Sequence, residues 1–120
     1  MVKIILASNS KVRAEILKNN RIDFEILPSK IDEDSVKQSL ISEGANPESI
    51  SKNLAELKSI TVSQRNINKL VLGADTVIDL NGELISKPTS RENALEILKK
   101  LNGKKHSLIS SVCISKNGSM

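Results

Sequence analysis

Apolar and polar positions fall into blocks whose period changes several times along the chain. Val2 to Ala7 is an almost continuous apolar run, which predicts a buried strand. It breaks on Ser8, Asn9 and Ser10. Ser10 is placed to cap a helix from about Lys11 to Asn19, with Val12, Ile16 and Leu17 turned inward. Asp23 to Leu27 reads as a short second strand ending at Pro28. The acidic loop "SKIDEDS" follows, then a weak helix around Val36 to Ser42.

Asn46-Pro47 combines a capping side chain with proline at the first helical position, so a helix starts there and runs to about Ser63. Ile50, Leu54, Leu57 and Thr61 recur at helical spacing as its inner stripe, with Lys58 on the edge. "KLVLGADTVIDL" is a second apolar run, and Asn81-Gly82 predicts a tight hairpin turn into "ELIS". Thr89 and Glu92 make a capping box for a helix that turns Leu95, Leu98 and Leu101 inward and stops at Asn102-Gly103. "HSLISSVCIS" reads as a last strand. Asn117-Gly118 is another hairpin signal, and no return strand follows it. A turn with nothing after it predicts that the complete protein continues beyond Met120.

Strands interleaved with helices predict an α/β fold, a mixed central sheet with helices packed around it and one edge incomplete. Its 120 residues suit a single domain, with 38% hydrophobic and 27% charged residues. Phe24 is the only aromatic residue, so the core is aliphatic and bases have no rings to stack on. The net charge of +4 favours anionic partners without choosing among nucleic acid, nucleotide and phosphate. Cys113 and His106 each stand alone, which excludes an internal disulfide and a multi-His or Cys/His zinc site. No signal peptide or membrane-spanning run is evident, and a cytoplasmic protein is expected.

Four groups of residues could carry chemistry. Ser8, Ser10 and Arg13 put two hydroxyls and a guanidinium at a helix N-terminus, where backbone N–H groups favour anions. The same residues would serve as a plain cap beside a solvated arginine. Asp32 to Asp34 either hold a divalent cation or form a solvated acidic loop. Asp75 interrupts an apolar run. It is either a buried carboxylate that needs a partner or the point where the strand emerges into water. Lys87 in "SKPTS" is a site lysine or a surface one; a lone His106 opening a strand is a general acid or structural. Together the groups resemble the equipment for binding a polyphosphate through a divalent metal and activating water beside it.

The stretches "ILASNSKVRAEIL", "IDE", "NLAELKS", "GADTVIDLNGELISKP" and "ALEILKKLNGKKHSLIS" are collinear with the motifs of the Maf family, also called septum formation inhibitor Maf, and the chain resembles that family up to about Ser110. The resemblance implies a fold like that of the inosine triphosphate pyrophosphatases. It implies a single domain over residues 1–120, about two-thirds of the family's usual length. It also implies a nucleoside triphosphate pyrophosphatase that releases monophosphate and pyrophosphate in nucleotide-pool housecleaning.

By the same resemblance Ser8, Ser10, Arg13, Lys58, Thr76 and Lys87 bind substrate, Glu33 and Asp75 hold Mg2+ or Mn2+, and Asp75 is the catalytic proton acceptor. It implies a nucleoside triphosphate as partner, no stable nucleic acid and no membrane, and it allows a homodimer. Two departures matter. The family helix usually begins Ser-Pro-Arg-Arg, whereas here Val12 occupies a position tied to base preference, which leaves the nucleobase open. A later "AGAYGIQG"-like segment of the nucleotide pocket has no counterpart in these residues. The rival readings are a non-catalytic nucleotide-binding regulator of septum formation and a small RNA-binding domain.

Overall fold

The structure, a computed structural model, describes residues 3–8, 10–85 and 90–120. The elements run β1 (Ile4–Leu6), α1 (Lys11–Asn19), β2 (Phe24–Ile26), α2 (Glu33–Ser42), α3 (Pro47–Arg65), β3 (Leu70–Leu80), β4 (Glu83–Ile85), α4 (Arg91–Leu101) and β5 (Ser107–Ser115). The sheet is mixed, as the alternation of elements predicts. β1 pairs in parallel with β2 and β3, and β3 pairs antiparallel with both β4 and β5.

The long strand β3 organises the molecule. β5 follows one edge from Val71 to Asp79, so β1 and β4 must share the other. β1 takes Leu70 to Leu72 and β4 takes Ile78 to Leu80. Between them, Gly73 to Val77 have no strand beside them on that edge among the described residues. The chain leaves β1 at this gap, because Ala7 still donates to the Leu72 carbonyl at 2.9 Å before the serine turn departs. β1 lies between β2 and β3, so the chain order reverses about it. In open α/β sheets, ligands bind beyond the carboxyl ends of strands at such a reversal.

α3 packs on one face of β3 through a stripe of small and polar residues. Ile50, Ser51, Leu54, Ala55, Lys58, Ser59, Val62 and Ser63 are buried. Leu57 and Thr61 of the expected stripe are only half-buried, and Lys58 lies within the buried face rather than on its edge. Gly73 explains the shift. A Cβ there would sit 2.5 Å from the Ala55 carbonyl oxygen and 2.7 Å from the Ser59 nitrogen. Backbone meets backbone, so only small side chains fit between. Ser59 Oγ donates to the Val71 carbonyl at 2.9 Å and Ser51 Oγ to the Asp75 carbonyl at 3.1 Å, which satisfies the buried hydroxyls. Ile5, Ala7, Val62 and Val71 form the apolar core beside this contact.

Two other expected faces differ. α1 has the expected bounds, and Leu17 is buried, but Val12 and Ile16 are 66% and 55% exposed. Arg13 and Leu17, four residues apart, face the sheet instead, because Arg13 is hydrogen-bonded to β3. α4 also forms, yet Leu95 and Leu98 remain exposed and Leu101 is half-buried. Periodicity makes a helix amphipathic without providing the surface that covers it. The cap of α4 is Ser90, whose side chain accepts from the Asn93 N–H at 3.0 Å; the expected box at Thr89 falls outside the described residues. Both asparagine–glycine turns form, with positive φ at Asn81, Gly82, Asn117 and Gly118. Lys116 and Ser119 exchange backbone hydrogen bonds of 2.8 and 3.1 Å across the second turn.

Candidate active site

Ser10 caps α1 as its sequence position predicts: its Oγ accepts from the Arg13 N–H at 3.3 Å. Ser8 does more than end a strand. Its Oγ accepts from the Ser10 N–H at 3.1 Å and from Arg13 Nη1 at 3.0 Å. Arg13 Nη2 donates to Thr76 Oγ1 at 3.1 Å, and Thr76 Oγ1 lies 2.9 Å from Ser110 Oγ. Arg13 is therefore neither a plain neighbour of a cap nor a solvated arginine. Hydroxyls from the serine turn and from β3 hold its guanidinium across the gap in the sheet edge. Ser110 is the residue missed in the sequence. Its signal was its place in β5 opposite Thr76, a pairing that only the register reveals.

Glu33 opens α2, whose cap is Asp32. Asp32 accepts from the Ser35 hydroxyl at 2.8 Å and from the Ser35 N–H at 3.2 Å. These two bonds, the hydroxyl first, hold the Asp32 carboxyl below its ordinary pKa of 3.8. Asp32 is thus engaged in capping, and Glu33 points its side chain to Lys58: Nζ lies 2.5 Å from Glu33 Oε1. The same ammonium lies 3.2 Å from Asp75 Oδ1 and 3.5 Å from the Ala74 carbonyl oxygen. Asp75 is 6% exposed, so β3 does not emerge into water there. Its other oxygen, Oδ2, is buried without a hydrogen-bond partner among the described residues.

Two clefts meet at Arg13. One has a volume of about 280 Å3 and is polar; Ser8, Ser10, Arg13, Glu33 and Lys58 line it. The other, about 260 Å3, runs between α1 and the opposite face of β3 and β5, lined by Arg13, Ile16, Leu17, Ala74, Thr76 and Val112. The structure brings together Ser8, Ser10, Arg13 and Thr76 in one hydrogen-bonded group. Glu33, Lys58 and Asp75 form a second group, and Arg13 and Lys58 line the same cleft. Lys87 lies outside the described residues. His106 is elsewhere, exposed beside Asp79, Asn81 and Lys105.

The family profile described as "Maf-like protein" matches residues 3–120. The chain is 63% identical over 121 residues to a nucleoside triphosphate pyrophosphatase of Pelagibacter ubique, covering 100% of this chain and 62% of that protein. It is 40% identical over 117 residues to a 7-methyl-GTP pyrophosphatase of Brucella abortus, covering 98% of this chain and 59% of that one. The chain thus spans about 60% of the length of these curated relatives. A HAM1 protein from Coxiella burnetii has a similar fold, with a TM-score of 0.59 at 16% identity over 98% of this chain and 65% of that one.

Proposed function

This chain belongs to the Maf-like protein family, and from that membership we propose that it is the main part of a nucleoside triphosphate pyrophosphatase. The reaction cleaves between the α and β phosphates and yields a nucleoside monophosphate and pyrophosphate. The observation that carries the reading is the polar cleft itself. Arg13 and Lys58 reach it from opposite faces of β3, beside a helix N-terminus and two carboxylates. A dense anion with a bound cation suits such a place.

A divalent metal fits the donors. Asp75 Oδ2 is a buried carboxylate oxygen with no donor among the described residues, and burial without a partner is costly unless a ligand completes it. Among the described residues no group of three or more His, Cys, Asp or Glu side chains gathers. Glu33 and Asp75, the two carboxylates gathered at Lys58, would be the protein's ligands, and water and phosphate oxygens would complete the shell, the usual habit of Mg2+. When bound, the metal neutralises phosphate charge and lowers the pKa of nearby water.

The chain's own residues supply the rest. Arg13 is pre-positioned by Ser8 and Thr76, so its guanidinium meets phosphate oxygens without first being ordered. Ser8 and Ser10 sit where the helix N-terminus faces the same oxygens. Lys58 offsets charge moving onto the leaving pyrophosphate, and Lys87 would join it. Asp75 is the proton acceptor for the attacking water in this mechanism. The apolar cleft beyond Arg13, lined by Thr76 among others, is suited to the nucleoside. The names of the relatives differ in the base, so the base stays open.

Within this reading residues 1–120 act as one domain in the cytoplasm, without stable nucleic-acid partners, and a homodimer is admissible. No helix among the described residues is long and apolar enough to cross a membrane. The test is product analysis with Mg2+ and a panel of nucleoside triphosphates. Monophosphate and pyrophosphate in equal amounts are expected. Binding without turnover would instead favour the non-catalytic regulator, and orthophosphate release would overturn the assigned bond.

A further inference from the structure

Glu33 and Asp75 share one ammonium, and that ammonium stands between Asp75 and the cleft. Glu33 and Lys58 line the cleft, whereas Asp75 lies behind them, with its side chain 8% exposed. Asp75, the carboxylate that the proposed mechanism assigns to the metal and the water, is therefore covered by Lys58. A dication added with Nζ still 2.5 Å from Glu33 Oε1 and 3.2 Å from Asp75 Oδ1 would meet a like charge at close range in a partly buried site.

We propose that Lys58 is the resident counter-ion of this carboxylate pair, and that a divalent ion and the Lys58 ammonium compete for it. The inference rests on the two-carboxylate reading above. The ion enters as Nζ withdraws, and the flexible four-carbon stem allows this without moving α3. Withdrawal leads into the cleft shared with Ser8, Ser10 and Arg13, where triphosphate oxygens would receive the ammonium. Phosphate and metal then assist each other: phosphate draws Lys58 away, and the ion takes the carboxylate oxygens it leaves. By linkage the assistance is reciprocal.

The probe is Mn2+ alone, without nucleotide, titrated into the 120-residue chain and followed by electron paramagnetic resonance. Lys58→Met keeps an unbranched, flexible side chain one atom shorter and removes its charge. It should bind Mn2+ roughly tenfold or more tightly than the parent, since a like charge at contact distance is gone. Equal or weaker binding in Lys58→Met overturns the competition. A second measurement needs no variant: acylation of lysines in the parent chain, read by mass spectrometry. Mn2+ should raise labelling of Lys58 severalfold, and unchanged or reduced labelling overturns the proposal. Glu33→Gln and Asp75→Asn separate the two layers. If both lose Mn2+ while Lys58→Met gains nothing, the competition alone fails. If both bind Mn2+ like the parent, or if no form binds it, the two-carboxylate site fails and the competition with it.

Discussion

On one face of β3, Gly73 lets α3 come so close that backbone meets backbone, and Lys58 is pressed onto Asp75. On the other, Thr76 reaches α1 through a single hydrogen bond from Arg13, and an apolar cleft remains open beside it. Consecutive residues of one strand, Asp75 and Thr76, thus serve two different environments. The closed face removes water and makes charge interactions strong. The open face leaves room for a ligand and positions a cation by hydroxyls. A strand's alternation makes this possible, because neighbours along it point to opposite sides.

Breaking the closed face at its charge should have the largest effect. Asp75→Asn keeps the shape but removes the carboxylate that the proposed mechanism uses as proton acceptor. Turnover, followed by pyrophosphate release, should fall about a hundredfold to ten-thousandfold, the usual range for a general base. The fold, followed by circular dichroism, should survive. A variant turning over near the parent rate would make Asp75 a structural partner of Lys58 only.

On the open face, Arg13→Ala should weaken triphosphate binding by about 1.5–3 kcal/mol, the range for a hydrogen bond to a charged group. Thermal stability should change little, since Arg13 is only half-buried. Equal affinity in calorimetric titration would place the phosphate seat elsewhere.

Gly73→Ala tests how tightly the closed face must close. The added Cβ meets backbone rather than a flexible side-chain end. It should cost about 1–3 kcal/mol of unfolding free energy, as overpacking does, and loosen the Lys58–Asp75 contact. Chemical denaturation measures the first. A parent-like midpoint would mean that α3 yields at no cost.

The smallest effect concerns the start of α2, which delivers Glu33 to Lys58. Asp32 has a folded-state pKa below 3.8, so its capping stabilises the helix above that value and is lost as pH falls through the lower folded value. An NMR titration of the Ser35 amide should therefore show a midpoint below 3.8. A midpoint at or above it would mean that the cap does not form in solution.

Much of this was legible in the sequence. The bounds of α1, the cap at Asn46, the long strand through Asp75 and the Asn81-Gly82 turn all follow from local chemistry: period, capping side chains, and residues that tolerate positive φ. Ser8, Ser10 and Arg13 lie within six consecutive residues, so their grouping was visible as well. What lay beyond local reading was which helix face is buried. α3 turns serines and a lysine inward, against the apolar rule, because close approach at Gly73 selects small residues and Asp75 offers the lysine a partner. α1 turns Arg13 inward for a hydroxyl 63 positions away. The meeting of Glu33, Lys58 and Asp75 and the pairing of Thr76 with Ser110 join residues from separate elements. Local propensity acts over a few residues and sets where elements begin and end. Charges and hydroxyls far apart in the chain find each other only when the sheet register and the packing of α3 fix their distances, and those distances decide which side chains share a site.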